Sequence, residues 1–276
     1  GGKPKEAILG TLERFSTALL GVVNLIMKLA PVGAFGAITF TIGKYGVGAL
    51  ASLGKLVLCL YVTSALFVII VLGLICKFSG INIWQLICYM KEEIFITLGT
   101  ASTEAVLPRS MEKMEALGIK KSVVGLVLPT GYSFNLDGAA IYLTMAASFI
   151  AQAMDIHLDT SHQITLMLVL LLTSKGGAGV AGAALIALAA TLSATNIIPV
   201  VGMTLVIGID RVLNEMRAVV NLIGNCVATV AIGRWEKSID LDHANKVLRG
   251  EIDVDYTLNN DDARNELATS MADSSK

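Results

Sequence analysis

Histidine is scarce. The three residues, His157, His162 and His243, all lie in polar segments outside the apolar runs. A histidine-based catalytic dyad or metal centre has little to build on. The four cysteines, Cys59, Cys76, Cys88 and Cys226, are spaced for neither a zinc site nor a redox pair. They read as small apolar residues in packed helices. Charge is scarce too: 16% of residues are charged and 54% hydrophobic, against about 25% and about 45–50% in an ordinary soluble domain. The net charge of −1 gives nucleic-acid binding no electrostatic support. The solvent this composition fits is a bilayer.

A membrane-spanning helix needs about 20 predominantly apolar residues. Residues 56–76 supply such a run without a charge, bounded by Lys55 and Lys77. Before it, 19–43 is apolar except for Lys28, which predicts a helix over about 12–43, kinked near Pro31. Residues 122–154 form one apolar stretch interrupted only by Asp137. As one helix it would reach roughly 50 Å, so it is expected to tilt or break. Asn135-Leu136-Asp137-Gly138 is the expected break. Residues 176–209 are uncharged and rich in Gly and Ala. They fit a hairpin arm running into a further helix begun by Pro199.

Basic residues set the orientation. Arg109, Lys113, Lys120 and Lys121 cluster in one segment, and Arg234, Lys237, Lys246 and Arg249 in another. Both are expected on the cytoplasmic side, and 155–162, without Lys or Arg, outside. The acidic, polar segment 251–276 is expected to be a disordered cytoplasmic tail. The chain opens Gly-Gly-Lys-Pro-Lys and runs almost at once into helix-like sequence. That is expected of a fragment whose earlier spans are missing.

Interrupted apolar segments in corresponding positions of two halves point to a binding site in membrane carriers. The pattern occurs twice here. A polar tip, Thr100-Ala-Ser-Thr-Glu-Ala-Val-Leu-Pro108, precedes the expected break. A second, Ser174-Lys-Gly-Gly-Ala-Gly-Val-Ala-Gly182, precedes the helix from Pro199. Glycine at such tips lets backbone N–H groups face an anion, or lets helices pack closely. The strongest pattern is in the last helix. Asp210, Asn214, Arg217, Asn221 and Asn225 are spaced 4, 3, 4 and 4, within an arc of roughly 80°. Such a stripe cannot face lipid cheaply. Arg217 needs an anion, and its planar fork matches a carboxylate. Glu215 lies on another face, where Arg211 or water could meet it. Asp137 at the break is a turn cap, a hard-oxygen cation ligand or a protonatable carboxyl.

These residues carry a resemblance. The stretches Pro129-Thr-Gly-Tyr-Ser-Phe-Asn-Leu-Asp-Gly138, Ser174-Lys-Gly-Gly-Ala-Gly179 and Gly208-Ile-Asp-Arg through Asn221-Leu-Ile-Gly-Asn225 resemble the dicarboxylate/amino-acid:cation symporter family, from about residue 10 to 250. That family includes the glutamate transporters, and the C4-dicarboxylate branch is the nearest. The resemblance implies an all-α polytopic membrane protein with broken helices and two re-entrant helical hairpins in an inverted repeat, assembled as a homotrimer in the bacterial inner membrane. Residues 1–80 would hold the end of the scaffold and spans five and six. Residues 81–250 would form the transport core: hairpin one over about 84–116, broken span seven over 121–154, hairpin two over 161–196 and span eight over 199–235.

The resemblance also implies roles. Ser102 and Thr103, with backbone at Gly177, Ala178 and Gly179, would hold one substrate carboxylate and Arg217 the other. Gly131, Asn135 and Asn221 would serve a first cation. Ser133, Ser174, Lys175 and Gly177 would correspond to a second site, and Asp137 would serve a third. Amino-acid carriers have Asp at the place of Asn214, for the substrate ammonium. Sodium-coupled members have Asp at the place of Asn225. Asparagine at both implies symport of succinate, fumarate or malate coupled to protons, with Na+ or another cation as the alternative. Asp137, Asp210, Glu104 and Glu215 are candidate proton carriers, and no cofactor is called for. The alternative is an acidic amino-acid symporter. An intramembrane enzyme is disfavoured because Ser102 and Ser174 have no histidine nearby to activate them.

Overall fold

The computed structural model describes residues 30–174 and 182–252, and those residues are helical with no strand. In chain order the helices are α1 (Ala30–Tyr45), α2 (Gly48–Ser79), α3 (Ile83–Tyr89), α4 (Lys91–Thr100), α5 (Leu107–Ala116), α6 (Lys121–Phe134), α7 (Asp137–Ala153), α8 (Thr160–Ser174), α9 (Ala183–Thr195), α10 (Thr204–Ile207), α11 (Asp210–Trp235) and α12 (Leu241–Leu248). The expected helix before residue 30, Lys175, Gly177, Ala178, Gly179 and most of the tail lie outside the described residues.

Three stretches are long and apolar enough to cross a membrane: Gly48–Ser79, Lys121–Ala153 and Asp210–Trp235. Their apolar windows are 22%, 50% and 78% buried. The order places α11 at the centre and α2 at the edge, where Leu58, Val62, Leu66, Ile70 and Leu74 are exposed. Lipid is the environment such a row fits. Within α2, Phe67–Leu72 is a π-helical stretch.

The second span is two helices. Between α6 and α7, Asn135 and Leu136 leave helical geometry, at φ −113°, ψ 71° and φ −104°, ψ 66°. The span from residue 199 is also divided. Pro199 sits before a 3₁₀ turn, Val200–Met203, and the long helix begins only at Asp210. Gly202 packs so closely on Ile150 and Met154 that a β-carbon would clash there.

Two apolar clusters form the core. One joins the lower half of α2 with α3 to α6 and α12, and takes Val220, Ile223 and Val230 from α11. The other joins the upper half of α2 with α7, α8 and α9, and takes Leu213. The seam between them falls on α11 at Asn214, Arg217 and Asn221.

The chain reverses between α4 and α5 at Ala101, in left-handed geometry at φ 53°. Ion pairs join the two arms: Lys113 Nζ to Glu93 Oε2 at 2.6 Å and Arg109 Nη2 to Glu92 Oε2 at 2.7 Å. Arg211 of α11 donates to the carbonyls of Gly99 and Thr100 at the end of α4, and pairs with Glu215 at 3.1 Å. A cation there suits the negative end of a helix. Arg211→Ala is expected to destabilise the fold by about 1.5–3 kcal/mol. The check is a lower melting temperature of the detergent-solubilised protein.

α12 straps the base of the bundle. His243 Nε2 lies 3.0 Å from the Ala116 carbonyl, and Ile119 bridges Ile239. At the opposite end, before α8, Asp159 accepts the His162 amide at 2.7 Å, and that bond holds its carboxyl below the ordinary range.

Candidate functional site

The five polar residues of α11 are all buried, from 0% exposure at Asn221 and Asn225 to 9% at Asp210. They form a bonded series. Tyr142 of α7 donates to Asp210 Oδ1 at 2.7 Å, and Asn214 Nδ2 donates to Asp210 Oδ2 at 2.6 Å. Arg217 Nε donates to Asn214 Oδ1 at 2.6 Å. Asp210 is therefore linked to Arg217 through one amide. With its nitrogen fixed on Asp210, the Asn214 amide must turn its oxygen to Arg217. That bond in turn fixes the plane of the guanidinium, and a fixed fork suits a carboxylate.

The lower part of the stripe closes the helix break. Gly138 N–H, freed at the start of α7, donates to Asn221 Oδ1 at 2.8 Å. The Asn135 carbonyl, freed at the end of α6, accepts from Asn225 Nδ2 at 3.2 Å. Backbone polar groups inside apolar surroundings need such partners. The approach is close. A β-carbon on Gly138 would strike the Arg217 carbonyl, one on Gly131 would strike Asn225 Oδ1, and one on Gly224 would strike Asp137 Oδ2. Glycine is needed at all three because another helix or side chain fills the space.

Around the break, oxygens of Asp137, Asn135 and Asn225 gather beside Gly131 and Gly224. Asn225 Oδ1 and Asn221 Nδ2 are buried without a hydrogen-bond partner. Asp137 opens α7, where the helix favours negative charge. Neutral and charged oxygens so placed suit a hard cation or a shared proton. No group of three or more His, Cys, Asp or Glu among the described residues is placed to hold a metal ion.

Other expected site residues fall elsewhere. Ser133 is exposed, away from the Gly131–Asn225 contact. Ser174 is buried, with its hydroxyl bonded to the Leu171 carbonyl of its own helix. Ser102 and the buried Thr103 stand at the tip that Arg211 ties to α11. Tyr142 is a member the sequence reading missed. Its signal is a phenol inside a helix of small residues, where a buried hydroxyl needs a partner.

Apolar helices able to span a bilayer, closed around a buried arginine and a broken helix, define a membrane protein with an internal polar site. The family model for the sodium:dicarboxylate symporter family matches residues 2–235. Curated relatives include the C4-dicarboxylate transport proteins of Yersinia pestis (strain Pestoides F) and Yersinia pseudotuberculosis serotype O:1b (strain IP 31758). Each is 57% identical over 251 residues, which cover 91% of this chain and 58% of the relative. The chain belongs to the sodium:dicarboxylate symporter family, which is a family of transporters and not of enzymes. It spans less than two thirds of the length of these relatives.

Proposed function

We propose that this chain forms the transport core of a symporter that brings C4-dicarboxylates such as succinate, fumarate and malate into the cell together with protons. The observation that carries the reading is the Asp210–Asn214–Arg217 series. It presents a buried cation to a substrate carboxylate. The residue beside that cation is a neutral amide. A substrate ammonium would need a carboxylate there, and both oxygens of Asp210 are taken, by Tyr142 and Asn214.

In this reading Ser102, Thr103 and the tip at Gly177, Ala178 and Gly179 hold the second carboxylate. The Asn135, Asp137, Asn221 and Asn225 region couples transport to the ion. Asn225 is neutral, so a metal cation there would have one anion fewer, which favours a proton. The assembled protein is a homotrimer of the bacterial inner membrane with its C-terminus in the cytoplasm. The two tips gate opposite sides.

The test is uptake of labelled succinate by the full-length protein in proteoliposomes, under a proton gradient or a sodium gradient. Proton-driven uptake is expected. Asn214→Asp places a second carboxylate beside Arg217, and is expected to raise the KM for succinate about tenfold, the equivalent of about 1.4 kcal/mol. Uptake driven by sodium alone would overturn the proton assignment. Strong competition by aspartate would favour an acidic amino-acid symporter.

A further inference from the structure

A groove of about 560 Å³ lies at the end of α2, against the start of α3, well away from the α11 stripe and the helix break. Its long wall is one face of α2, formed by Ile70, Gly73, Leu74 and Lys77. Their spacing of three and four residues keeps them on one side of the helix. Its short wall carries Asn82 and Trp84. Gly73 deepens the floor, and a β-carbon there would lie 3.6 Å from Ile83 Cγ2, an ordinary contact.

The groove changes character along its length. Ile70 and Leu74 are about half exposed and belong to the apolar run of 56–76. Lys77 is the first charge after that run, so it stands where hydrocarbon gives way to headgroups. Trp84, beside it, is also about half exposed. Tryptophan concentrates at that level of a bilayer. A second exposed tryptophan, Trp235, ends α11 at the same end of the bundle, where Leu241 packs on Gly80.

The polar end of the groove offers donors and positive charge. Lys77 forms no ion pair among the described residues, and no acid lines the groove. Asn82 Oδ1 accepts the Trp84 backbone N–H at 2.8 Å, which leaves Nδ2 to donate elsewhere. The Trp84 indole can only donate. A lysine so placed lays its methylenes along apolar surface and lifts its ammonium into the interface. Three donor side chains around one positive charge suit an anion. The apolar trough that leads away from them, about two helical turns long, suits a hydrocarbon chain. A phosphodiester that carries an acyl chain has both parts. A choline or ethanolamine headgroup would bring a second cation to Lys77, with no acid in the groove to receive it.

We propose that this groove binds an anionic phospholipid. Its phosphate sits on Lys77, Asn82 and Trp84, and one acyl chain runs along Ile70, Gly73 and Leu74. The charge of the headgroup is balanced by Lys77. The site requires only that α2 spans the bilayer, and is independent of the substrate and the coupling ion.

The experiment is native mass spectrometry of the full-length protein in neutral detergent, with phosphatidylglycerol or phosphatidylcholine of the same acyl chains added in turn. The unsubstituted protein is expected to hold phosphatidylglycerol about fivefold more tightly than phosphatidylcholine. Lys77→Gln is expected to remove that preference and to bind phosphatidylcholine as before. Its melting temperature without added lipid is expected to be unchanged, because Lys77 is exposed and outside every ion pair of the described residues. Gly73→Leu fills the trough and is expected to weaken retention of both lipids. Equal retention of the two lipids by the unsubstituted protein, or a preference that survives Lys77→Gln, would overturn the headgroup site. Undiminished retention of phosphatidylglycerol by Gly73→Leu would overturn the groove as the seat of the lipid.

Discussion

Arg217→Ala is expected to abolish succinate accumulation, with at least about a hundredfold loss in uptake at low substrate. Arg217 is 2% exposed and sits at the seam of the two apolar clusters. Removing one partner of a buried charged set costs about 3–5 kcal/mol, which corresponds to a factor of a hundred or more. Part of that loss falls on the empty protein, because Asn214 Oδ1 loses its donor and Asp210 its counter-charge. Arg217→Lys separates the two effects. A lysine keeps the charge but not the fork, so the protein is expected to melt close to its normal temperature with a raised KM. Normal succinate accumulation by Arg217→Ala would remove α11 from the substrate site.

The resident Asp210 has a further consequence. An unpaired arginine at mid-membrane costs at least about 2.5–3.5 kcal/mol. Here the charge is offset within the core by Asp210, through Asn214. On the proposed reading, a carrier that returned empty would therefore not require substrate to neutralise Arg217.

Gly138→Ala is expected to be the second severe variant. Its β-carbon would meet the Arg217 carbonyl, which is helix backbone and cannot rotate away. Separating the start of α7 from α11 would also break the bond from Gly138 N–H to Asn221. Overpacking of this kind costs about 1–3 kcal/mol. Its larger effect is on the site, which is shifted as a unit. Near-complete loss of uptake is expected, with a melting temperature lower by several degrees. A Gly138→Ala protein with normal uptake would show that α7 and α11 need not touch there.

The sequence carried some of this architecture openly. The spacing of Asp210, Asn214, Arg217, Asn221 and Asn225 is a helical period, so their common face follows from local geometry. The interruption at Asn135 and Leu136 is legible because a polar group precedes Asp-Gly inside an apolar run. The partners that complete the site are not local. Tyr142 reads as one more apolar-run aromatic until α7 is laid against α11. Glu93 and Lys113 read as surface charges, because burial depends on α6 and α11 covering them. Arg211 finds carbonyls more than a hundred positions away. The tight glycines are visible as glycines, but what fills their missing side chains depends on the neighbouring helix. The division of the span that begins at Pro199 has a similar origin. Pro199 is a legitimate start signal, but the turn at Val200–Met203 is fixed by packing on Ile150 and Met154.

The π-helical stretch of α2 works as a phase corrector. The buried residues of that helix include Leu56, Leu60, Ser64, Val68, Leu72 and Cys76, one at every fourth position. In an uninterrupted α-helix each such step drifts by about 40°, so five steps would wind the stripe through about 200°. Cys76 would then emerge on the far side from Leu56. A π bulge adds a residue without adding a turn, which takes back about 100° of that drift. The slack inserted at Phe67–Leu72 lets a stripe with the wrong period for a straight helix stay turned toward α11 as it passes from one apolar cluster to the other.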